Sequence, residues 1–297
     1  MLRVLIIGID SVIGQALGEA LTARGDTVFG TTRRAATVDG RRRLWLDLEM
    51  IEASQTALPA ADITVFCAAK ARYAECRLNP VVARGLNVEA TVSLARLLVD
   101  QGSRVLLLST SAVFDGGRPH RRAEEPTGSA SLYGSLKVEA EAGVLALGHA
   151  AAVFRLTKLV TPQMPLFTGW MFALASGRNI RAFTDLRFCP LSLRHVVPAL
   201  LAVIDDCGDG IYQVSGSDDI TYADAARHIA FRISAAPHLI EAVRAVDNGI
   251  PPEEILAHTS LDTTRLSTLT DFQPPSPFAV LDAVFAPFRV ERMEAAG

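Results

Sequence analysis

The opening of the chain constrains its fold more than any other stretch. Arg3 to Ile7 is a compact aliphatic run, Gly8-Ile-Asp-Ser-Val-Ile-Gly14 follows at once, and Gln15 to Arg24 carries Leu17 and Leu21 at helical spacing. Strand, glycine loop and helix in direct succession form a turn whose glycines let backbone amides approach a phosphate resting on the helix N-terminus. Gly8, Ser11, Val12, Ile13 and Gly14 are therefore candidate contacts of a dinucleotide. Ser11 stands where such loops usually carry a middle glycine, so its side chain either crowds the phosphate or offers it a hydroxyl. A tight strand-to-helix turn without a ligand is the alternative.

Five further apolar runs repeat the theme: Thr27 to Thr31, Arg43 to Leu46, Ile63 to Cys67, Val105 to Leu108 and Ala151 to Leu156. They are continuously apolar rather than alternating, and helical stretches separate them, notably Pro80 to Asp100 with Leu86, Leu94, Leu97 and Leu98. That pattern predicts an α/β fold, a Rossmann-type doubly wound parallel sheet with helices on both faces. Beyond Arg155 the alternation decays into Pro162, Pro165, Gly169 and Gly177, with helices expected over Leu166 to Ser176, Leu193 to Ile204 and Tyr222 to Ser234 and a strand at Ile211 to Val214. The tail after Gly249 is proline-rich and is expected to form short helices joined by rigid loops. We therefore expect a nucleotide-binding domain over 1–160, with 186–215 returning to it, and a smaller C-terminal α+β substrate lobe over 161–185 and 216–297.

Of the 297 residues 49% are hydrophobic and 21% charged, the balance of a globular chain rather than a disordered one. A formal charge of -3 provides no general attraction to nucleic acid or to an anionic membrane, and no run reaches the ~18 apolar residues of a membrane span. The stretch before Asp10 is too brief for a signal-peptide core. Cys67, Cys76, Cys189 and Cys207 lack close pairing, so they are read as reduced thiols of a cytoplasmic protein, with no catalytic metal.

Proton chemistry is suggested by Thr110, Tyr133 and Lys137. Tyr133 and Lys137 are one helical turn apart and share a face, and a neighbouring ammonium lowers a phenol's pKa. Thr110 falls at the carboxyl end of the Val105 to Leu108 strand, the edge where parallel sheets keep their reacting atoms. An exposed helix carrying both residues by chance is the bland reading. At the end of the second strand, where an acid usually meets the ribose of NAD, the chain reads Thr31-Thr32-Arg33-Arg34. Two guanidiniums favour a 2′-phosphate, hence NADP(H) over NAD(H), unless they belong to a solvated edge with Arg41, Arg42 and Arg43. Asp47 and the adjoining Leu48 are candidates for the adenine side, and Ala68, Ala69 and Lys70 for the loop after the fourth strand.

In this order the pieces resemble the extended short-chain dehydrogenase/reductase superfamily, and within it the dTDP-4-dehydrorhamnose reductase branch, over nearly the full length. Ser109-Thr110-Ser111-Ala112-Val113-Phe114-Asp115-Gly116 resembles S-T-D-Y-V-F-D-G, and Tyr133-Gly-Ser-Leu-Lys137 resembles Y-G-x-S-K. Asn79-Pro80 and Leu86-Asn87-Val88 resemble the family's long helix, whose Asn lies close to the nicotinamide. Cys189-Pro-Leu-Ser, Gly210-Ile-Tyr-Gln-Val-Ser-Gly and Leu261-Asp-Thr-Thr-Arg-Leu resemble later family segments. Ser11, the Ser111-Ala112 pair and Lys70-Ala71 depart from the pattern.

The resemblance implies an NADPH-dependent reductase of a nucleotide-linked 4-keto sugar. Tyr133 would be the proton donor, Thr110 a hydrogen-bond donor to the same oxygen, and Lys137 the group that bonds the ribose and holds the phenol's pKa down. Lys158, Arg178, Arg181, Arg187 and Arg194 are candidate cations for the sugar's diphosphate, and Trp170 and Phe172 candidate stacking rings or core residues. His195 is read as structural, and Glu124-Glu125 as either a dehydratase acid and base or a charged loop. Two alternatives stay open: a nucleotide-sugar epimerase or dehydratase with recycled cofactor, and a non-catalytic NADP-binding regulatory protein. A homodimer is a further expectation.

Overall fold

The computed structural model describes residues 1–50 and 58–286. Six strands follow the apolar runs: β1 (Arg3–Ile7), β2 (Thr27–Thr32), β3 (Arg43–Trp45), β4 (Ile63–Phe66), β5 (Arg104–Thr110) and β6 (Ala151–Leu156). With the edge strand Gly210–Val214 they form one seven-stranded sheet, every neighbouring pair parallel, in the order β3-β2-β1-β4-β5-β6-edge strand. Val4, Leu5, Ile6 and Ile7 are all 0% exposed because both faces of β1 are covered; at ~25 cal/mol per Å2 each such side chain contributes roughly 2 kcal/mol. The order reverses between β1 and β4, so a crevice opens at their carboxyl ends.

Helix α1 (Val12–Ala23) begins where Ser11, in extended backbone, accepts the Gly14 amide on its hydroxyl. The expected helix from Pro80 to Asp100 is interrupted. After α2 (Tyr73–Leu78) come α3 (Pro80–Arg84), a π-helical turn over Gly85–Ala90, and α4 (Thr91–Asp100). The wide turn spans Asn87, whose buried amide is used outside the helix, and such bulges recur at functional sites. Helix α5 (Leu132–Leu145) starts at Ser131, whose hydroxyl accepts the Gly134 amide. Helix Leu193–Asp206 and the edge strand return the chain to the sheet. Helix Thr264–Leu269, inside the 216–297 stretch, also packs there: Leu266 is buried in the sheet's core with Val203 and Tyr212.

The smaller lobe has its own core, in which Phe167 and Trp170 of helix Pro165–Ala175 meet Phe188, Ile229 and Leu281. Trp170 is therefore a core residue, whereas Phe172 faces outward, 67% exposed. Short strand pairs that the sequence pattern did not predict stitch the lobe: Ile180–Phe183 with Ile240–Val243, parallel, and Arg187–Phe188 with Ile220–Thr221, antiparallel. Helix Tyr222–Arg232 stops at Arg232, two residues before the expected end, and Ser234 has positive φ. Among the described residues no helix is long and apolar enough to cross a membrane.

Candidate active site

Two connected clefts run along the carboxyl edge of the sheet. The first, about 360 Å3, is walled by Gly8, Asp10, Ser11, Thr31, Thr32, Arg33, Arg34, Asp47, Leu48, Ala68, Ala69, Lys70 and Leu86. Gly8 has φ +86, and a Cβ there would lie 2.7 Å from the Cβ of Ala68, so only glycine lets β1 and β4 approach at the crevice. At Gly14 a Cβ would fall 2.5 Å from the Gly8 carbonyl oxygen. The Ser11 hydroxyl caps the helix instead of standing free for a phosphate. Of the other predicted loop contacts, Ile13 lines the neighbouring cleft, while Val12 lies 52% exposed and Gly14 is packed beneath the loop, so neither lines these clefts.

Charges of both signs crowd this end. Arg33 lies 3.3 Å from Glu49 and 3.8 Å from Asp47, and Lys70 is 2.7 Å from Glu49. Lys70 and Arg33 hold the Glu49 carboxyl below its ordinary range. Asp10 accepts from Thr32 and sits 3.9 Å from Arg34 and 3.3 Å from Arg43. Arg43, which opens β3 and which the alternative reading put on a solvated edge, thus reaches the loop, a tertiary contact that no local spacing announces. Asn87 does not line either cleft. Its Oδ1 accepts the Lys70 amide at 2.9 Å and its Nδ2 donates to the Lys70 carbonyl at 3.0 Å, which fixes the Ala68 to Lys70 wall.

The second cleft, about 490 Å3, brings together Thr110, Tyr133 and Lys137 with Cys67, Ala68, Ala69, Tyr73, Ser109, Lys158, Arg187, Phe188, Tyr222, Glu254 and Thr259. Thr110 ends β5; its Oγ1 accepts the Ala112 amide, and Tyr133 shares a hydrogen bond with it. Lys137, 2% exposed, donates from Nζ to the Leu108 carbonyl at 2.7 Å. Burial lowers its pKa to about 8, with Glu141, one turn further along α5, opposing that shift. The expectation that the Tyr133 phenol's pKa is held down is corrected here. Burial is the largest influence on Tyr133 and pushes its pKa up, reinforced by Tyr73 at 5.4 Å between ring centroids. At neutral pH the phenol holds its proton.

The lobe supplies the far wall. Tyr222, whose ring lies 4.5 Å from that of Phe188, and Lys158, Arg187 and Glu254 all face the cleft. Of the five cations proposed from sequence only Lys158 and Arg187 line it; Arg181 pairs with Glu241 at 3.6 Å. Tyr73, Tyr222 and Glu254 were not singled out from sequence, since none belongs to a local motif. Lys158 carries a signal in composition: the chain has three lysines among 29 cationic side chains, Lys70, Lys137 and Lys158, and all three line these clefts. His195 bonds Ser192 at 2.9 Å, and Glu125 is held by Arg118 and Arg121; neither faces the cleft. Arg72 pairs with Glu75 on the outer surface.

A dinucleotide fits this arrangement on chemical grounds. The glycine cradle has room for no side chain, and the buried Ser109 hydroxyl, on the floor of the second cleft, has no hydrogen-bond partner among the described residues.

A doubly wound sheet whose switch point opens onto a half-buried Thr and a buried Tyr and Lys defines an oxidoreductase of the extended short-chain dehydrogenase/reductase type. The chain belongs to the RmlD substrate binding domain family, whose model matches residues 2–289. Among its relatives, dTDP-4-dehydrorhamnose reductase of Sinorhizobium fredii is 28% identical over 199 residues, 64% of this chain and 67% of that protein. Methionine adenosyltransferase 2 subunit beta of Bos taurus is 29% identical over 282 residues, 90% of this chain and 82% of that one. The solved dTDP-4-dehydrorhamnose reductase of Yersinia enterocolitica superposes with a TM-score of 0.82 at 21% identity, covering 97% of this chain and 99% of that one. The Bacillus anthracis enzyme, solved in complex with NADP, gives 0.78 at 18%, covering 97% and 100%.

Proposed function

We propose that the chain is an NADPH-dependent reductase of a nucleotide-linked 4-keto sugar. The observation that carries this reading is the convergence of Thr110, Tyr133 and Lys137 in one cleft, continuous with a second that carries Arg33 and Arg34. Gly8, Ser11, Ile13, Ala68, Ala69 and Ser109 would hold the dinucleotide, and Arg33, Arg34 and Arg43 its 2′-phosphate, in keeping with the NADP held by the Bacillus anthracis relative. Asp47 and Leu48 would flank the adenine. When bound, NADPH supplies the hydride.

The chain's own residues do the rest. Tyr133, kept protonated by burial, donates its phenolic proton to the oxygen that gains charge, and the Thr110 hydroxyl donates to the same oxygen. Lys137, charged below about pH 8, stabilises the phenolate left behind. Lys158 and Arg187 face an anionic substrate from the lobe. Elimination or epimerisation would call for a further base; among the described residues the one carboxylate on the cleft wall, Glu254, is engaged by Arg77, which favours simple reduction.

The test is Tyr133→Phe assayed with NADPH and dTDP-4-keto-6-deoxy-sugars. NADPH affinity should change little and turnover should fall by ~10²- to 10⁴-fold; unchanged turnover overturns the assignment. The likeness to a methionine adenosyltransferase subunit raises a second reading, a partner subunit of another enzyme. Net NADPH oxidation in proportion to product separates the two.

A further inference from the structure

Behind the proton-transfer trio lies a pair of charges that no step above employs. Arg155 of β6 and Glu141 of α5 are 2% and 3% exposed. They meet as a fork: Arg155 Nη2 lies 2.7 Å from Glu141 Oε2, and Nε is 3.0 Å from Oε1. A buried ion pair is weak evidence for stability, because the desolvation of both ions offsets their attraction, and apolar residues of the same volume would serve the core at least as well.

Its surroundings suggest what the pair does. Arg155 is the rung partner of Ser109 on β5 and of Gln213 on the edge strand, one rung from Thr110. Its remaining Nη1 donates to the Ala123 carbonyl at 3.1 Å and to Gln213 at 3.3 Å, and its guanidinium lies 5.0 Å from the Phe114 ring centroid, in the segment that follows Thr110. Glu141 follows Lys137 by one turn and Tyr133 by two, on the same face of α5.

We propose that the Glu141–Arg155 pair is a positioning device for the trio: Arg155 locks α5 against β6, the neighbour of the strand that carries Thr110, and the Glu141 carboxylate it holds keeps the Lys137 ammonium charged. This inference rests on the proposed proton transfer from Tyr133. The other groups facing the trio are the Leu108 carbonyl from β5, Tyr73 and Cys76 from α2, Cys67 after β4, and Lys158, Arg187, Tyr222 and Glu254 from the opposite wall. Of these side chains, Glu254 alone adds negative charge at neutral pH, and Arg77 pairs with it. The Glu141 charge is therefore the one whose removal should reach Lys137.

The experiment uses the full chain with its lysines labelled with ¹⁵N, where three side-chain signals are expected and Lys137→Met assigns one. In Glu141→Gln the titration midpoint of Lys137 should fall by about one pH unit. The alkaline limb of kcat for NADPH-dependent ketosugar reduction should move down with it, while KM stays within about twofold. Glu141→Leu with Arg155→Met removes both charges without orphaning either, so it keeps the test open if the single variant fails to fold; its midpoint should fall as well. A Lys137 midpoint unchanged from wild type in the variants that fold overturns the proposal, since a purely structural pair would alter stability and leave that midpoint in place. The Lys137 signal needs no turnover, so it judges the pair even if active Tyr133→Phe were to sink the catalytic reading.

Discussion

Lys137→Met should make the protein more stable at neutral pH. The lysine is 2% exposed, and burial lowers its pKa from 10.5 to about 8. A pKa that differs by one between the folded and unfolded chain corresponds to ~1.4 kcal/mol, so holding the charged ammonium inside costs the folded state about 3 kcal/mol at pH 7. The sign follows from proton counting. Between about pH 8 and 10.5 the unfolded chain binds more protons at this site than the folded one, so the cost is full below pH 8 and disappears as pH rises towards 10.5. Methionine removes the ammonium and leaves the Leu108 carbonyl without its donor, a loss of ~1 kcal/mol. Glu141 is not stranded, because Arg155 still holds both its oxygens. The variant should therefore gain ~1–3 kcal/mol at pH 7 and be level with or slightly below wild type near pH 10.5, while losing ketosugar reduction. Urea unfolding at both pH values measures this. A variant no more stable at pH 7, with the wild-type pH slope, would refute the claim that this lysine is kept for chemistry at the expense of stability.

Gly8→Ala should lose ~2–4 kcal/mol of stability and most NADPH affinity, because the new Cβ meets Ala68 at 2.7 Å in a left-handed backbone; a wild-type melting curve would contradict that contact. Ser109→Ala removes a buried hydroxyl with no partner among the described residues, so the ligand-free protein should gain about 1 kcal/mol while NADPH fluorescence titration shows ~3- to 10-fold weaker binding. If neither quantity moves, the hydroxyl does not meet the cofactor. Asp219→Ala deletes a carboxylate that accepts from the amides and hydroxyls of both Thr259 and Ser260, with bonds of 2.6 to 3.2 Å. It should cost ~3–5 kcal/mol and raise KM for the sugar nucleotide with NADPH affinity kept, since Thr259 borders the second cleft; an equal loss for both ligands would argue against a wall on the substrate side.

The sheet was legible because its evidence is local. Val4 to Ile7 and Val105 to Leu107 are continuous apolar runs, and both are buried on both faces. The trio was legible for the same reason, Tyr133 and Lys137 by a one-turn spacing and Thr110 by a strand end. What could not be read depends on tertiary placement. The sign of the Tyr133 shift is set by how deeply α5 sinks beside Tyr73, and no spacing reports burial. The strand pair Ile180–Phe183 with Ile240–Val243 joins segments some 60 residues apart, too short and too distant to show a period. The bonds of Asn87 to the Lys70 backbone could not be read either, because Lys70 lies 17 residues away along the chain.

Side-chain chemistry links these observations. Arginine stays charged in any protein environment, whereas a lysine's charge is sensitive to burial and neighbours. This chain uses arginine for its surface pairs, as at Arg84 with Glu139 and Arg24 with Asp205, and for the buried fork on Glu141. Its three lysines stand only on the clefts, each in a different setting: Lys70 beside Glu49, Lys137 under the phenol, and Lys158 without an ion-pair partner among the described residues, its pKa lowered by burial. Arginine at position 137 would bring a charge that no carboxylate could tune. An ammonium whose pKa burial has lowered to about 8 is still largely charged at neutral pH, and that charge matters most at the moment the phenol with its raised pKa gives up its proton.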